Sequence, residues 1–236
     1  MTPNILHHVF VLFLIVAFPI WDRHEAKLLK TSTDPNAKRN SYLKTIGWQI
    51  VATAFLFATV PIRILYVAPV SADTFMPRFS GMLLPILVAL GVGMLLPILI
   101  PLIKKDVRNP PKQLESIAFF LPRTKAEKLW FAVMCITVGI CEEVIFRGFL
   151  IQYLHALPFG FEWPAAVIGA AVIFGIDHGY QGWKGILATG FLALVFTVLF
   201  FASGSLLVPM LLHAVMDLRI LALVGKSQRR MDNSSR

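Results

Sequence analysis

Glu142, Glu143 and Arg147 stand inside an otherwise apolar run, Gly139 to Leu150. An ionisable side chain at membrane depth costs at least ~2.5–3.5 kcal/mol on insertion scales, so a run holding three of them must turn them towards partners or a wet cavity. The rest of the chain supports that placement. Of its 236 residues 57% are hydrophobic and only 15% are charged. This is too apolar for a water-soluble domain. It fits an all-α, polytopic integral membrane protein with about seven transmembrane helices.

The apolar segments follow one another with polar punctuation. A first span is expected from Ile5 to Ile20. It has neither a preceding basic residue nor a following small-residue cleavage site, so it reads as a span rather than a signal peptide. His7 and His8 are expected at its interfacial end. Trp21 to Lys44 reads as a polar connection, followed by a second span from Tyr42 to Ala68 and a third, bent by Pro85, Pro97 and Pro101, from Gly81 to Ile103. Gln113 to Leu121 is a short amphipathic piece suited to the membrane surface. Thr124 and Glu127 have the spacing of a capping box, so a long fourth helix should run from Lys125 to Leu157 and end at Pro158 and Gly160. The fifth span, Trp163 to His178, is rich in glycine and alanine, which allows close helix contact. A turn at Gly179 to Gly182 leads to a sixth span, Trp183 to Phe201. A turn at Ser203 to Ser205 leads to a seventh, Leu206 to Val224. The layout divides into N-terminal spans and basic connections (1–123), a core (124–224) and a polar basic tail (225–236).

The net charge of +9 does not point to nucleic acid. The lysines and arginines concentrate in 21–44, 104–128 and the tail, where they would meet anionic lipid headgroups. Counted over seven spans, that alternation puts the N-terminus outside and the C-terminus in the cytoplasm. Cys135 and Cys141 are six positions apart in one helical segment and point in different directions, so they are read as buried thiols without a mutual disulfide. With no cleaved signal or organellar targeting peptide visible, the expected location is a bacterial plasma membrane.

Three polar constellations carry the candidate chemistry. Glu143 and Arg147 are four apart and can meet on one helix face, with Glu142 about 100° round from Glu143. Phe174-x-x-x-His178 lies in the fifth span, with Asp177 alongside. His213-x-x-x-Asp217 lies in the seventh. Each alone could be structural: a buried Glu–Arg clasp, a hydrogen-bonded packing histidine, an aspartate that orients its neighbour. Together they are better explained by one shared site, because intramembrane ionisable groups face a bundle interior or a wet cavity. At ~1.5 Å per residue Glu142 sits ~20 Å into its helix, whereas His178 ends its own, and their depths must be reconciled. A carboxylate in such a pocket can take a proton from water and an adjacent histidine can share the work. A second His/Asp pair can hydrogen-bond a developing oxyanion. Neither Gly-x-Ser-x-Gly nor His-Glu-x-x-His is present.

Glu142-Glu143-x-x-x-Arg147, Phe174-x-x-x-His178 and His213-x-x-x-Asp217, in this order on successive apolar helices, resemble the three motifs of the CAAX-protease and bacteriocin-processing (CPBP, or Abi) family of intramembrane endopeptidases. The resemblance covers roughly Thr124 to Leu223. It implies that Glu142 is the general base, assisted by His178, that Glu143, Arg147 and Phe174 support the site, and that His213 stabilises the oxyanion. Prenyl-protein members have asparagine where this chain has Asp217. An ionised aspartate cannot donate a hydrogen bond, so Asp217 would act protonated or by orienting His213. Family members are also described as metalloproteases, in which case Glu142, His178 and His213 would ligate a divalent metal such as zinc. A metal-free, glutamate-type mechanism without cofactor is the expectation here.

The reading is thus an endopeptidase that hydrolyses a peptide bond of a membrane-associated peptide or protein. The alternatives are a non-catalytic peptide-binding, immunity or scaffold member of the same family, and a proton-coupled transporter. The last is disfavoured because the chain shows no duplicated halves.

Overall fold

In a computed structural model, residues 1–75, 85, 92, 116–158 and 161–234 are described. They are mostly helical, and the third expected span, 81–103, lies outside them apart from residues 85 and 92. Among the described residues four helices are long and apolar enough to cross a membrane. These are α1 (Ile5–Thr31) and, further along, segments Lys125–His155, Trp183–Ser203 and Leu207–Val224, with Trp163–Asp177 as a shorter apolar helix.

Helix α1 starts at Asn4, whose side chain accepts from the backbone of Leu6 and His7. It is π-helical over Phe13–Ala17 just before Pro19, which has no N–H to give to the preceding turn. It continues to Thr31, through residues expected to form a polar connection. Trp21 to Lys30 contain no glycine or proline, so polarity ends the membrane span there without ending the helix. His7, expected at the interfacial end of the span, is buried, with its ring 6.2 Å from that of Phe55 and 5.6 Å from that of Phe149.

Helix α2 (Ala37–Thr59) begins earlier and stops sooner than the expected second span. Val60 is extended, as a residue before proline should be, and Pro61 opens a separate short helix, α3 (Ile62–Tyr66). A further short helix, α4, spans Ala72–Phe75. The described part of Gln113 to Leu121 is a turn, not a surface helix. Its Phe120 packs on Tyr42 and Phe131, and the Tyr42 hydroxyl donates to the Phe120 carbonyl at 2.6 Å.

Helix α5 (Lys125–His155) opens on the expected capping box, with Thr124 Oγ1 accepting from Glu127 N at 3.1 Å and Glu127 Oε2 accepting from Thr124 N at 3.3 Å. From Glu143 to Leu150 it is π-helical. Helix α6 (Trp163–Asp177) is followed by a 3-10 turn, Gly179–Gln181, and by Gly182 at φ +83°. Helix α7 (Trp183–Ser203) ends on Gly204 at φ +71°, a left-handed cap that glycine adopts without strain. Helix α8 (Leu207–Ser234) closes the chain and runs past the expected end at Val224.

Two glycine contacts set the helices close. A Cβ on Gly175 would lie 2.7 Å from the Ile186 carbonyl oxygen, so α6 and α7 meet backbone to backbone, as the glycine-rich sequence led us to expect. A Cβ on Gly139 would lie 2.7 Å from the Ala214 nitrogen. That contact joins α5 to α8 one turn from Glu142 and next to His213. Both cysteines are free and buried.

Candidate active site

The π-helical turn of α5 carries the charged stretch into the core, where Glu143 and Arg147 are fully buried. Arg147 Nη1 lies 3.1 Å from Glu143 Oε1, the expected pair. The contact is an ion pair rather than a well-aligned hydrogen bond, since neither Nη atom has a hydrogen-bond partner among the described residues. Aromatic faces supply the remaining contact: the guanidinium carbon is 4.6 Å from the Phe174 ring centroid and 5.4 Å from that of Phe196.

The same Glu143 oxygen accepts a hydrogen bond from His213 Nδ1 at 2.7 Å. The His213 ring also stacks on Phe196, with centroids 5.2 Å apart and planes 18° from parallel. With Nδ1–H directed at a carboxylate, Nε2 is the free nitrogen. It faces Glu142 Oε2 at 3.9 Å and Asp217 Oδ2 at 3.7 Å. The close approach of α5 and α8 at Gly139 and Ala214 makes this meeting possible.

Glu142 turns away from Glu143, as the sequence spacing suggested. Its Oε1 accepts a hydrogen bond from Gln49 Nε2 at 3.1 Å. Its Oε2 is buried and has no hydrogen-bond partner among the described residues. Gln49, on α2, was invisible to motif reading: a single glutamine carries no motif. Its only sequence signal is position, seven residues from Tyr42 and seven from Leu56 on a helix whose buried side is otherwise nearly apolar. Phe196 was missed for a similar reason, as one phenylalanine in an apolar helix.

His178 caps α6. Its backbone N–H bonds Gly175, which leaves the Phe174 carbonyl to accept from His178 Nδ1 at 2.8 Å. Nδ1 therefore carries the proton and Nε2 the lone pair. The His178 ring packs on Phe174 at 4.5 Å, and Phe174 reaches His213 at 6.4 Å. No hydrogen bond joins His178 to Glu142 among the described residues; the two halves of the site meet through Phe174.

His155 and Trp163 stack at 3.7 Å where α5 ends and α6 begins. Counting back along α5 at ~1.5 Å per residue, Glu142 lies about 20 Å from that end; counting along α6, His178 lies about 22 Å from it. Helix α6 is too short to cross ~30 Å of hydrocarbon. It stops at about the level of Glu142, which brings His178 and Glu142 to a similar height in the bundle. Asp177 is buried, with neither oxygen hydrogen-bonded among the described residues. Asp217 is more open than Glu142, Glu143, Arg147 or His213, with its side chain 34% exposed. It does not grip His213 through Nδ1; Glu143 does.

Among the described residues no group of three or more His, Cys, Asp or Glu side chains could hold a metal ion. What the arrangement offers is proton transfer: a buried carboxylate oxygen without a donor, two imidazoles with fixed Nδ1 atoms, and a charged clamp behind one of them.

Fold and site together define a helical membrane protein with a buried carboxylate–imidazole centre. Residues 124–219 match the family model described as Rce1-like, type II CAAX prenyl endopeptidase Rce1-like. That stretch contains all three constellations, and the family whose model it matches is one of proteases. Neither the curated proteins nor the solved structures give a match to the chain.

Proposed function

We propose that the protein is an intramembrane endopeptidase that uses Glu142 to activate water against a peptide bond of a membrane-associated peptide or protein. The observation that carries this reading is the Glu142 carboxylate. One oxygen is held by Gln49, and the other, Oε2, is buried, without a hydrogen bond, and 3.9 Å from His213 Nε2. A water donating to Oε2 gives up a proton to it as its oxygen attacks the carbonyl carbon. When the C–N bond breaks, Glu142 returns that proton to the leaving nitrogen. His178 Nε2, the free acceptor of that ring, assists in holding the water. His213, protonated on both nitrogens with Glu143 stabilising the cation, donates Nε2–H to the oxyanion. Asp217 borders the same nitrogen from the open side. The mechanism uses no metal. The family name points to prenylated C-terminal peptides, and a farnesylated and an unmodified peptide of one sequence are the pair to compare. The basic connections and tail support an integral membrane location with the C-terminus in the cytoplasm, in a bacterial plasma membrane.

The test compares peptide termini in membranes of cells that carry wild-type protein or Glu142→Ala at matched abundance. Termini present only with the wild type are expected, and they identify the substrate. Identical termini in the two strains overturn the assignment. A phenotype that survives the substitution would then favour a peptide-binding protein.

A further inference from the structure

Gln49 lies outside residues 124–219, on a different helix from every residue of the three motifs, yet it makes the only hydrogen bond to the Glu142 carboxylate among the described residues. We infer that Gln49 is a positioning residue for the reaction: its side-chain amide fixes the Glu142 carboxylate so that Oε2 is the oxygen that meets water. This deepens the proteolytic reading and rests on it.

The amide is costly where it stands. Gln49 is only 3% exposed, between Tyr42 and Leu56, which are fully buried one heptad to either side. An amide buried without hydrogen bonds costs about 1–3 kcal/mol, and a hydrocarbon side chain there would pack without that penalty. The compensation is one bond to one carboxylate oxygen. An ionised carboxylate can only accept, so the NH2 end of the amide must face Glu142 and its carbonyl must turn away. That orientation engages Oε1 and leaves Oε2 open.

Among the described residues nothing else holds the Glu142 carboxylate in this way. His213 Nε2 at 3.9 Å is beyond hydrogen-bond reach, and Arg147 is committed to Glu143. Without Gln49 the carboxylate could rotate and present either oxygen, or swing towards His213. Helix α2 is well placed to supply a rigid donor. Tyr42 packs on Phe131 of α5, its hydroxyl is tied to the Phe120 carbonyl, and Ala52 and Leu56 are buried on the same side. The family stretch thus brings the base, and the N-terminal part of this chain holds it in register.

The test uses the full chain with Gln49→Met, which keeps length and volume without polar atoms. In liposomes, infrared spectra of wild type minus Glu142→Gln isolate the stretching band of the Glu142 carboxyl group. The same difference is then taken in the Gln49→Met background. A displaced band is expected, and a band at the same frequency overturns the inference, because a glutamine that only fills space would leave it unmoved. In cells, the wild-type-only termini should accumulate about tenfold to hundredfold more slowly with Gln49→Met at matched abundance. An unchanged rate also overturns the positioning role. If Glu142→Gln generates the same termini as the wild type, the proteolytic reading itself fails, and the positioning role falls with it. The infrared arm still reports separately whether Gln49 and Glu142 touch.

Discussion

Glu143 Oε1 takes a hydrogen bond from His213 Nδ1 at 2.7 Å, whereas Asp217, one turn along the same helix as His213, stands 3.7 Å from the opposite nitrogen. The carboxylate that orients the imidazole therefore comes from α5, and it is the same one that balances Arg147. One buried group thus ties together two of the three sequence constellations.

Glu143 and Asp217 should respond differently to loss of charge. Glu143→Gln leaves the guanidinium of Arg147 buried without its counter-charge, and breaking a buried pair costs about 3–5 kcal/mol. Asp217 is one-third exposed, so Asp217→Asn should change stability by less than about 1 kcal/mol. Thermal unfolding in detergent should show a large drop for Glu143→Gln and almost none for Asp217→Asn. Cleavage should vanish in the first and survive in the second. Equal effects would contradict the assignment of Glu143 as the residue that orients His213.

Arg147→Lys should not be conservative. The guanidinium is planar and lies near two aromatic faces, Phe174 and Phe196, while reaching Glu143. An ammonium is a compact, strongly hydrated point charge that matches neither face as well. Arg147→Lys is expected to lower the unfolding midpoint and slow cleavage together. A Phe196→Leu variant should reproduce part of both effects, since Phe196 also stacks on His213. Wild-type stability in Arg147→Lys would argue that the ring contacts contribute nothing.

Much of this site could be read from the sequence, because spacing within one helix is local information. The Thr124–Glu127 cap, the Glu143–Arg147 pair and the placement of Phe174 with His178 each follow from three- or four-residue intervals, and each is present. What could not be read was long-range pairing. Nothing in the sequence says that Gln49 meets Glu142 across 93 positions, or that Glu143 rather than Asp217 meets His213 Nδ1. The helix bounds failed where polarity was taken for structure: Trp21 to Thr31 is polar and still helical, while the apolar stretch around Pro61 is broken. The packing of His7 against Phe55 and Phe149 is likewise a long-range contact that spacing does not give. The π-helical turn at Glu143–Leu150 has no sequence signature that spacing rules detect.

Gly139 sets the separation of α5 and α8 at the height of the site. A methyl group there would meet the Ala214 backbone nitrogen at 2.7 Å and Cα at 2.8 Å. Backbone cannot move aside as a side-chain tip can, so Gly139→Ala should push the helices apart and lengthen the Glu143–His213 contact. Cleavage is expected to fall about hundredfold, as for a misplacement of ~1 Å. Ala214→Gly should not restore it, because the obstructing atoms belong to the main chain. Full rescue would show that only the Ala214 methyl group is in the way.

Chelation tests the metal-free mechanism proposed above. No three donors among the described residues could hold an ion, so the wild-type-only termini should accumulate at an unchanged rate after washed membranes are treated with a strong zinc chelator. Loss of the activity on chelation, with recovery on adding zinc back, would replace the glutamate-type mechanism by a metal-dependent one.

His178 separates catalysis from stability more cleanly than any other position in the site. Its Nδ1–H caps a carbonyl of its own helix, and among the described residues no ion pair depends on it. Removing that single bond should cost about 0.5–1.5 kcal/mol. If Nε2 assists Glu142 with the water, His178→Ala should slow cleavage about 10²–10⁴-fold, the usual contribution of a general acid or base. His178→Asn keeps a polar side chain at the helix end but offers no basic nitrogen. It should recover stability without recovering rate. Cleavage by His178→Asn near the wild-type rate would reduce His178 to a helix cap and leave Glu142 to act on water alone.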